Sequence, residues 1–140
     1  MKGNTQKGFS LIELIIVVAI IGIIATVAMP YLKKAKYASE NAAMLATLRT
    51  MASTQIEFYS QNNRYATLSE LNAAHSNSYG TVSGNNLYRN GFTLDMGSAA
   101  ATDSSLKSDF LITATKTYDA ADLPYIISIN VSGRIVQITP

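Results

Sequence analysis

Residues 9–29 read FSLIELIIVVAIIGIIATVAM and contain one ionisable side chain, Glu13. At a rise of about 1.5 Å per residue this run makes about 31 Å of helix, the thickness of a bilayer's hydrocarbon core. A charge inside such a segment costs roughly 3 kcal/mol or more, so Glu13 marks a functional position and needs a partner. The stretch before it, MKGNTQKG, holds Lys2 and Lys7 and no acid. A secretory signal peptide has a shorter apolar core and a small-residue cleavage site. Here the run is longer, and Thr26-Val27-Ala28 matches such a site only loosely. The segment therefore reads as a retained anchor, followed by enough chain for one small domain.

Charge does little to orient the anchor. Lys2, Lys7 and the terminal amine precede it, and Lys33, Lys34 and Lys36 follow it, so the positive-inside rule is undecided. The formal charge of +2 comes from eleven basic and nine acidic residues; without Lys2 and Lys7 the two signs balance. A neutral body argues against nucleic acid as a partner. With no cysteine and a single histidine, His75, the chain has no disulfide, thiol chemistry, Cys-based zinc site or two-histidine site. No nucleophile–base set and no phosphate-binding glycine loop stands out, so an enzyme is not expected and no cofactor is implied.

Beyond the anchor, helical spacing continues, and residues 10–59 read as one long helix. Leu45, Leu48, Ala52, Ile56 and Tyr59 recur at steps of three or four, widened by Met44, Met51 and Phe58. Glu40, Asn41, Thr47, Arg49, Thr50 and Ser53 supply the polar side. Pro30, which lacks an N–H, predicts a bend at the membrane edge. Gly22 is a second weak point, or a place for close helix packing. Residues 61–64 read as a turn. Thr67-Leu-Ser-Glu70 fits a capping box opening a short helix, Leu68 to Ala74. Residues 75–91 read as a polar loop.

The last fifty residues change period. Segments 92–96, 110–115, 125–129 and 134–138 carry β-branched and aromatic residues, most in partial alternation. Asn130-Val-Ser-Gly133 reads as a hairpin turn, with polar loops at 97–107 and 118–124. The expected fold class is α+β: a long N-terminal helix on an antiparallel sheet of three or four strands.

Lys7-Gly-Phe-Ser-Leu-Ile-Glu13, followed by a long apolar run and Pro30, resembles the class III signal sequence of type IV pilins and pseudopilins. The motif covers residues 1–30, and the helix-then-sheet layout resembles the family over the whole length. The resemblance implies three parts: a cytoplasmic leader, 1–8; a membrane and filament-core helix, 9–30; and a globular head, 31–140. It implies cleavage between Gly8 and Phe9 by a prepilin peptidase, which also methylates the new Phe9 amine. A residue without a side chain at position 8 suits close approach by a protease. Orientation follows, with the leader cytoplasmic and the head outside the inner membrane.

Cleavage would create an ammonium at Phe9, one turn from Glu13. Glu13 then neutralises the amine of its own chain or that of a neighbouring subunit, and the resemblance implies the neighbour. A misplaced subunit would leave two charges unpaired, so the pair would set register. The third reading is a lone glutamate reaching for interfacial water. The resemblance further implies that the helix between Gly22 and Pro30 loses order in a filament. The implied partners are further copies of the chain, the prepilin peptidase/methyltransferase, the membrane, an inner-membrane assembly platform and an ATPase motor. The implied role is the structural subunit of a surface fibre for adhesion or twitching motility. The alternatives are a major pseudopilin of type II secretion, a minor pilin in DNA uptake and a monomeric signal-anchored binding module. Many pilins carry a C-terminal disulfide that this chain lacks; some pseudopilins bind calcium, for which Asp119 and Asp122, with Asp103 or Asp109, are the candidate ligands.

Overall fold

The computed structural model describes residues 8–97 and 104–139. The chain forms two units, Met1–Ala38 and Ser39–Pro140. Helix α1, Leu11–Asn62, is unbroken at Pro30 and outlasts the expected end at residue 59 by three residues. It ends where Asn63 adopts φ 54°, so the turn expected at 61–64 begins two residues later. In the first unit every described residue up to Leu32 is exposed except Ala28, which is half-buried. This helix is long and apolar enough to cross a membrane, and none of its most apolar eighteen-residue window is buried.

The second unit has its own core. Met44, Leu48, Met51 and Ala52 of α1 are buried in one cluster with Leu71, Leu87, Phe92, Leu94, Ile112 and Ile127. The buried stripe is rotated from the one read in the sequence. Ile56 is 64% exposed and Tyr59 38%, while Leu45 is only half-buried. In their place the stripe includes Gln55, which is fully buried. Its side-chain amide donates to the Ala66 carbonyl (2.8 Å) and accepts from the Ala66 N–H (2.7 Å). An amide can enter a core when both its ends are matched in this way.

Helix α2, Leu68–Ala74, carries the expected capping box. The Glu70 N–H donates to Thr67 Oγ1 (3.3 Å), and Glu70 Oε2 accepts from the Thr67 N–H (2.9 Å). Arg64 adds a bidentate pair to the Glu70 carboxylate at 2.9 and 2.5 Å. The Arg64 hydrogen bond is the main reason that Glu70 falls to about 2.

Among the described residues the sheet has six antiparallel strands in sequence order: β1 Thr81–Ser83, β2 Asn86–Arg89, β3 Phe92–Asp95, β4 Leu111–Lys116, β5 Tyr125–Asn130 and β6 Ile135–Gln137. The expectation of three or four strands is corrected, as is that of a loop over 75–91, where β1 and β2 lie. Both strands are short, three and four residues, and pairing rather than composition makes them strands. The turns follow local chemistry. Asn90 and Gly91 have φ 50° and 79°, the pair of positive values that a type I′ hairpin requires. The β5–β6 turn stands as expected: Gly133 N–H donates to the Asn130 carbonyl (2.9 Å), and Asn130 Oδ1 accepts from Ser132. A short 3-10 turn, Ser105–Lys107, lies within the stretch expected to be a loop at 97–107, and residues 98–103 of that stretch are outside the described residues. It buries Leu106, whose carbonyl accepts from the Tyr65 N–H at 2.7 Å.

Candidate processing and assembly site

Ser10 is the residue before the first helical turn, and Glu13 is the third residue of the helix. The Ser10 N–H donates to Glu13 Oε2 at 2.8 Å, while Leu14 N–H donates to the Ser10 carbonyl at 3.3 Å. Glu13 thus closes one half of a capping box at the head of α1, satisfying a donor that the helix itself leaves orphaned. Its negative charge also sits at the positive end of the helix dipole. This partner is written in the sequence as Ser10-x-x-Glu13, a capping signature before an apolar run, but the apolar surroundings of Glu13 point to an ion pair instead. A carboxylate has four lone-pair directions, so one bond to Ser10 leaves capacity for a second donor.

The residues that flank this cap are open. Gly8 is exposed with free space around its α-carbon, and Phe9 is 90% exposed. A β-carbon added at Gly22 would also meet nothing within 4 Å. Pro30 has no N–H to give the Thr26 carbonyl. The Thr26 hydroxyl donates to the Ile23 carbonyl at 2.7 Å, so it is satisfied locally within an apolar segment. Leader residues 1–7, with Lys2 and Lys7, are outside the described residues.

In the second unit, α1 is tied to the sheet by a polar cluster. Lys116 Nζ donates to Glu40 Oε2 (2.8 Å) and to the Asn90 carbonyl (2.6 Å), and lies 5.1 Å from the Phe92 ring centre and 4.8 Å from that of Tyr118. The Tyr118 hydroxyl donates to Asn41 Oδ1 at 2.5 Å. The Lys116 side chain is 13% exposed, so this pair is better shielded than a surface ion pair. At the other end of the helix the Thr54 and Tyr79 hydroxyls share a hydrogen bond of 2.7 Å, and burial raises the Tyr79 hydroxyl above its ordinary value.

Among the described residues the candidate calcium ligands are Asp109, Asp119 and Asp122. The Asp122 N–H donates to the Asp119 carbonyl at 3.0 Å in the β4–β5 loop. No group of three or more His, Cys, Asp or Glu side chains able to hold a metal gathers among the described residues. Asp109 accepts from the Phe110 N–H, and Asp103 lies outside the described residues.

Residues 3–29 match the family described as "Prokaryotic N-terminal methylation motif". The chain is 41% identical over 61 residues to "Type IV major pilin protein PilA" of Myxococcus xanthus, covering 44% of this chain and 28% of that protein. It is 49% identical over 55 residues to "Fimbrial protein" of Moraxella nonliquefaciens, covering 36% of this chain and 35% of that protein. The matches thus span about a third or less of the relatives' own length. With its long helix on an antiparallel sheet, the chain has an architecture consistent with the pilin fold. It carries the prokaryotic N-terminal methylation motif of prepilins, and a type IV major pilin and a fimbrial protein are among its relatives.

Proposed function

We propose that this chain is the structural subunit of a type IV pilus. The observation that carries the reading is the bare apolar helix headed by the methylation motif. A surface of exposed Leu, Ile and Val from Leu11 to Leu32 is unstable in water and must be covered first by lipid and then by protein. Lipid and packed neighbouring helices are similarly apolar, so one surface serves both and exchange between them is nearly balanced. The work is mechanical, with the driving energy supplied by a separate motor.

In this reading the leader is cut between Gly8 and Phe9, the Phe9 amine is methylated, and Glu13 meets the amine of a neighbouring copy while keeping its bond to Ser10. The precursor sits in the inner membrane as a single-pass protein, and the assembled subunit is extracellular. The names of the relatives favour a surface fibre over a secretion pseudopilus.

The test is intact mass together with Glu13→Ala. Protein sheared from the cell surface should begin at Phe9 and carry one added methyl group. E13A should leave processed subunit in the membrane and abolish the sheared fibre. Fibres of unchanged amount from E13A, or a surface protein still bearing residues 1–8, would overturn the reading.

A further inference from the structure

From Asn41 to Asn62 helix α1 carries two charged residues, Arg49 and Glu57. Both are exposed, and neither side chain has an ion-pair or hydrogen-bond partner among the described residues. Between and beside them the exposed ridge is uncharged and mostly small, with Ala42, Ala46, Thr50, Ser53 and Ser60 and the large Ile56. The hydroxyls of Thr50, Ser53 and Ser60 donate to carbonyls of their own helix, so the ridge asks little of water. Glu57 lies at the edge of a cleft of about 260 Å³ lined by Thr54, Phe58, Gln61 and Ala74. The Gln61 side chain stands one turn above Glu57 on the same face. Arg64, whose guanidinium is 5.4 Å from the Phe58 ring centre, has its charge matched by Glu70.

We propose that Arg49 of one copy docks into the Glu57 cleft of the next, as a head-to-head contact of the assembled chain. The occupant follows from charge complementarity on a stretch of helix, Asn41 to Asn62, that carries no other charge. Resting on the pilus reading, all copies run parallel, because each enters the membrane by the same N-terminal helix. Arg49 and Glu57 are eight residues apart, about 12 Å along the helix axis and about 80° around it. Two parallel copies can therefore pair these residues only when one is displaced by about 12 Å along the other. Donor and acceptor lie on different flanks, so each copy uses its arginine on one neighbour and its cleft on another. Such a contact does not close on itself and builds an open helical series. The guanidinium would meet the Glu57 carboxylate and the Gln61 side-chain oxygen, with its stem along Phe58 and Ala74.

Charge exchange tests this in the full-length chain, in the cell that makes the fibre. R49E and E57R should each lower sheared fibre by about tenfold or more, since juxtaposed like charges cost several kcal/mol. Subunit in the membrane should stay at the wild-type level. R49E/E57R together should restore the fibre to within about threefold of wild type, a recovery that a folding defect does not give. The chain has no cysteine, so R49C/E57C offers a second measurement free of background. The two sites on one helix are about 12 Å apart, too far for an internal disulfide. Oxidation of assembled fibre should give a ladder of dimers, trimers and larger species. Dimers alone would indicate a closed antiparallel pair and overturn the proposal. So would fibre that forms without cross-links, or a double charge exchange that fails to recover. A wild-type chain that makes no fibre would overturn the pilus reading and this contact with it, whereas wild-type fibre without rescue overturns the contact alone.

Discussion

Gln55 on α1 pairs with both backbone groups of Ala66, eleven residues along the chain, in the way one strand pairs with another. This contact joins the end of α1 to the segment that leads into α2. It is fully buried, so its loss strands two backbone groups away from water. Gln55→Leu should destabilise the second unit by about 2–4 kcal/mol, although leucine is the more apolar residue. Gln55→Glu, which cannot donate from a carboxylate, should cost at least as much above neutral pH. Chemical denaturation of the detergent-solubilised protein, followed by far-ultraviolet circular dichroism, checks both.

Gly80 allows a close backbone approach. Its φ is +154°, and a β-carbon there would stand 2.3 Å from the Tyr88 carbonyl oxygen and 2.9 Å from Leu87 Cδ2. The oxygen belongs to the backbone of β2 and cannot swing aside. Gly80→Ala should therefore cost about 2–4 kcal/mol and loosen the β1–β2 hairpin, whereas Gly84→Ala should cost about 1 kcal/mol for its positive φ alone. Amide exchange at Leu87 and Tyr88 should rise in the first variant and stay near wild type in the second.

Glu70 predicts an acid limb. Its carboxyl falls from 4.5 to about 2 in the folded chain, first because Arg64 donates to it. A lowered folded value means that the contribution is whole above about pH 4.5 and is lost as the pH falls toward 2. The side chain is 36% exposed, so screening reduces the contribution to about 1 kcal/mol. Glu70→Gln should lower stability at pH 7 by about that amount and flatten the stability profile between pH 4.5 and 2. A profile in which the variant loses stability on acidification as steeply as wild type would contradict this assignment.

Much of the candidate site was readable before folding because it is local. Thr67 and Glu70 meet within one helical turn, as their spacing predicts; Ser10 and Glu13 do the same, although the apolar run around Glu13 points to an ion pair instead. The turn at Asn130 to Gly133 was legible for the same reason, whereas the Asn90-Gly91 turn lay in a stretch that reads as a loop. The strands beside that second turn were not legible either. Thr81–Ser83 and Asn86–Arg89 are too short and polar to show a period, and they are ordered by β3 and its neighbours. The rotation of the buried stripe on α1 was hidden too. Ile56 is apolar and lies outside, while Gln55 is polar and lies inside, because the position of Ala66 decides which of them can be satisfied. Lys116, Glu40, Asn41 and Tyr118 come from segments more than seventy residues apart, and nothing in either segment names the other.

By itself the sequence determined the apolar helix, its isolated acid, the methylation motif and the cap of α2. These rest on hydrophobic transfer, which is additive along a chain, and on hydrogen bonds within a turn of their donors. The tertiary structure alone decided the six-stranded sheet, the face that α1 turns inward, the burial of Gln55 and the cluster around Lys116. Those depend on pairing between distant segments, where a polar group is tolerated inside only if the fold brings it a partner. Arg49 and Glu57 belong to both. The sequence places one positive and one negative charge eight residues apart, and the fold leaves both outward, with no partner for either among the described residues.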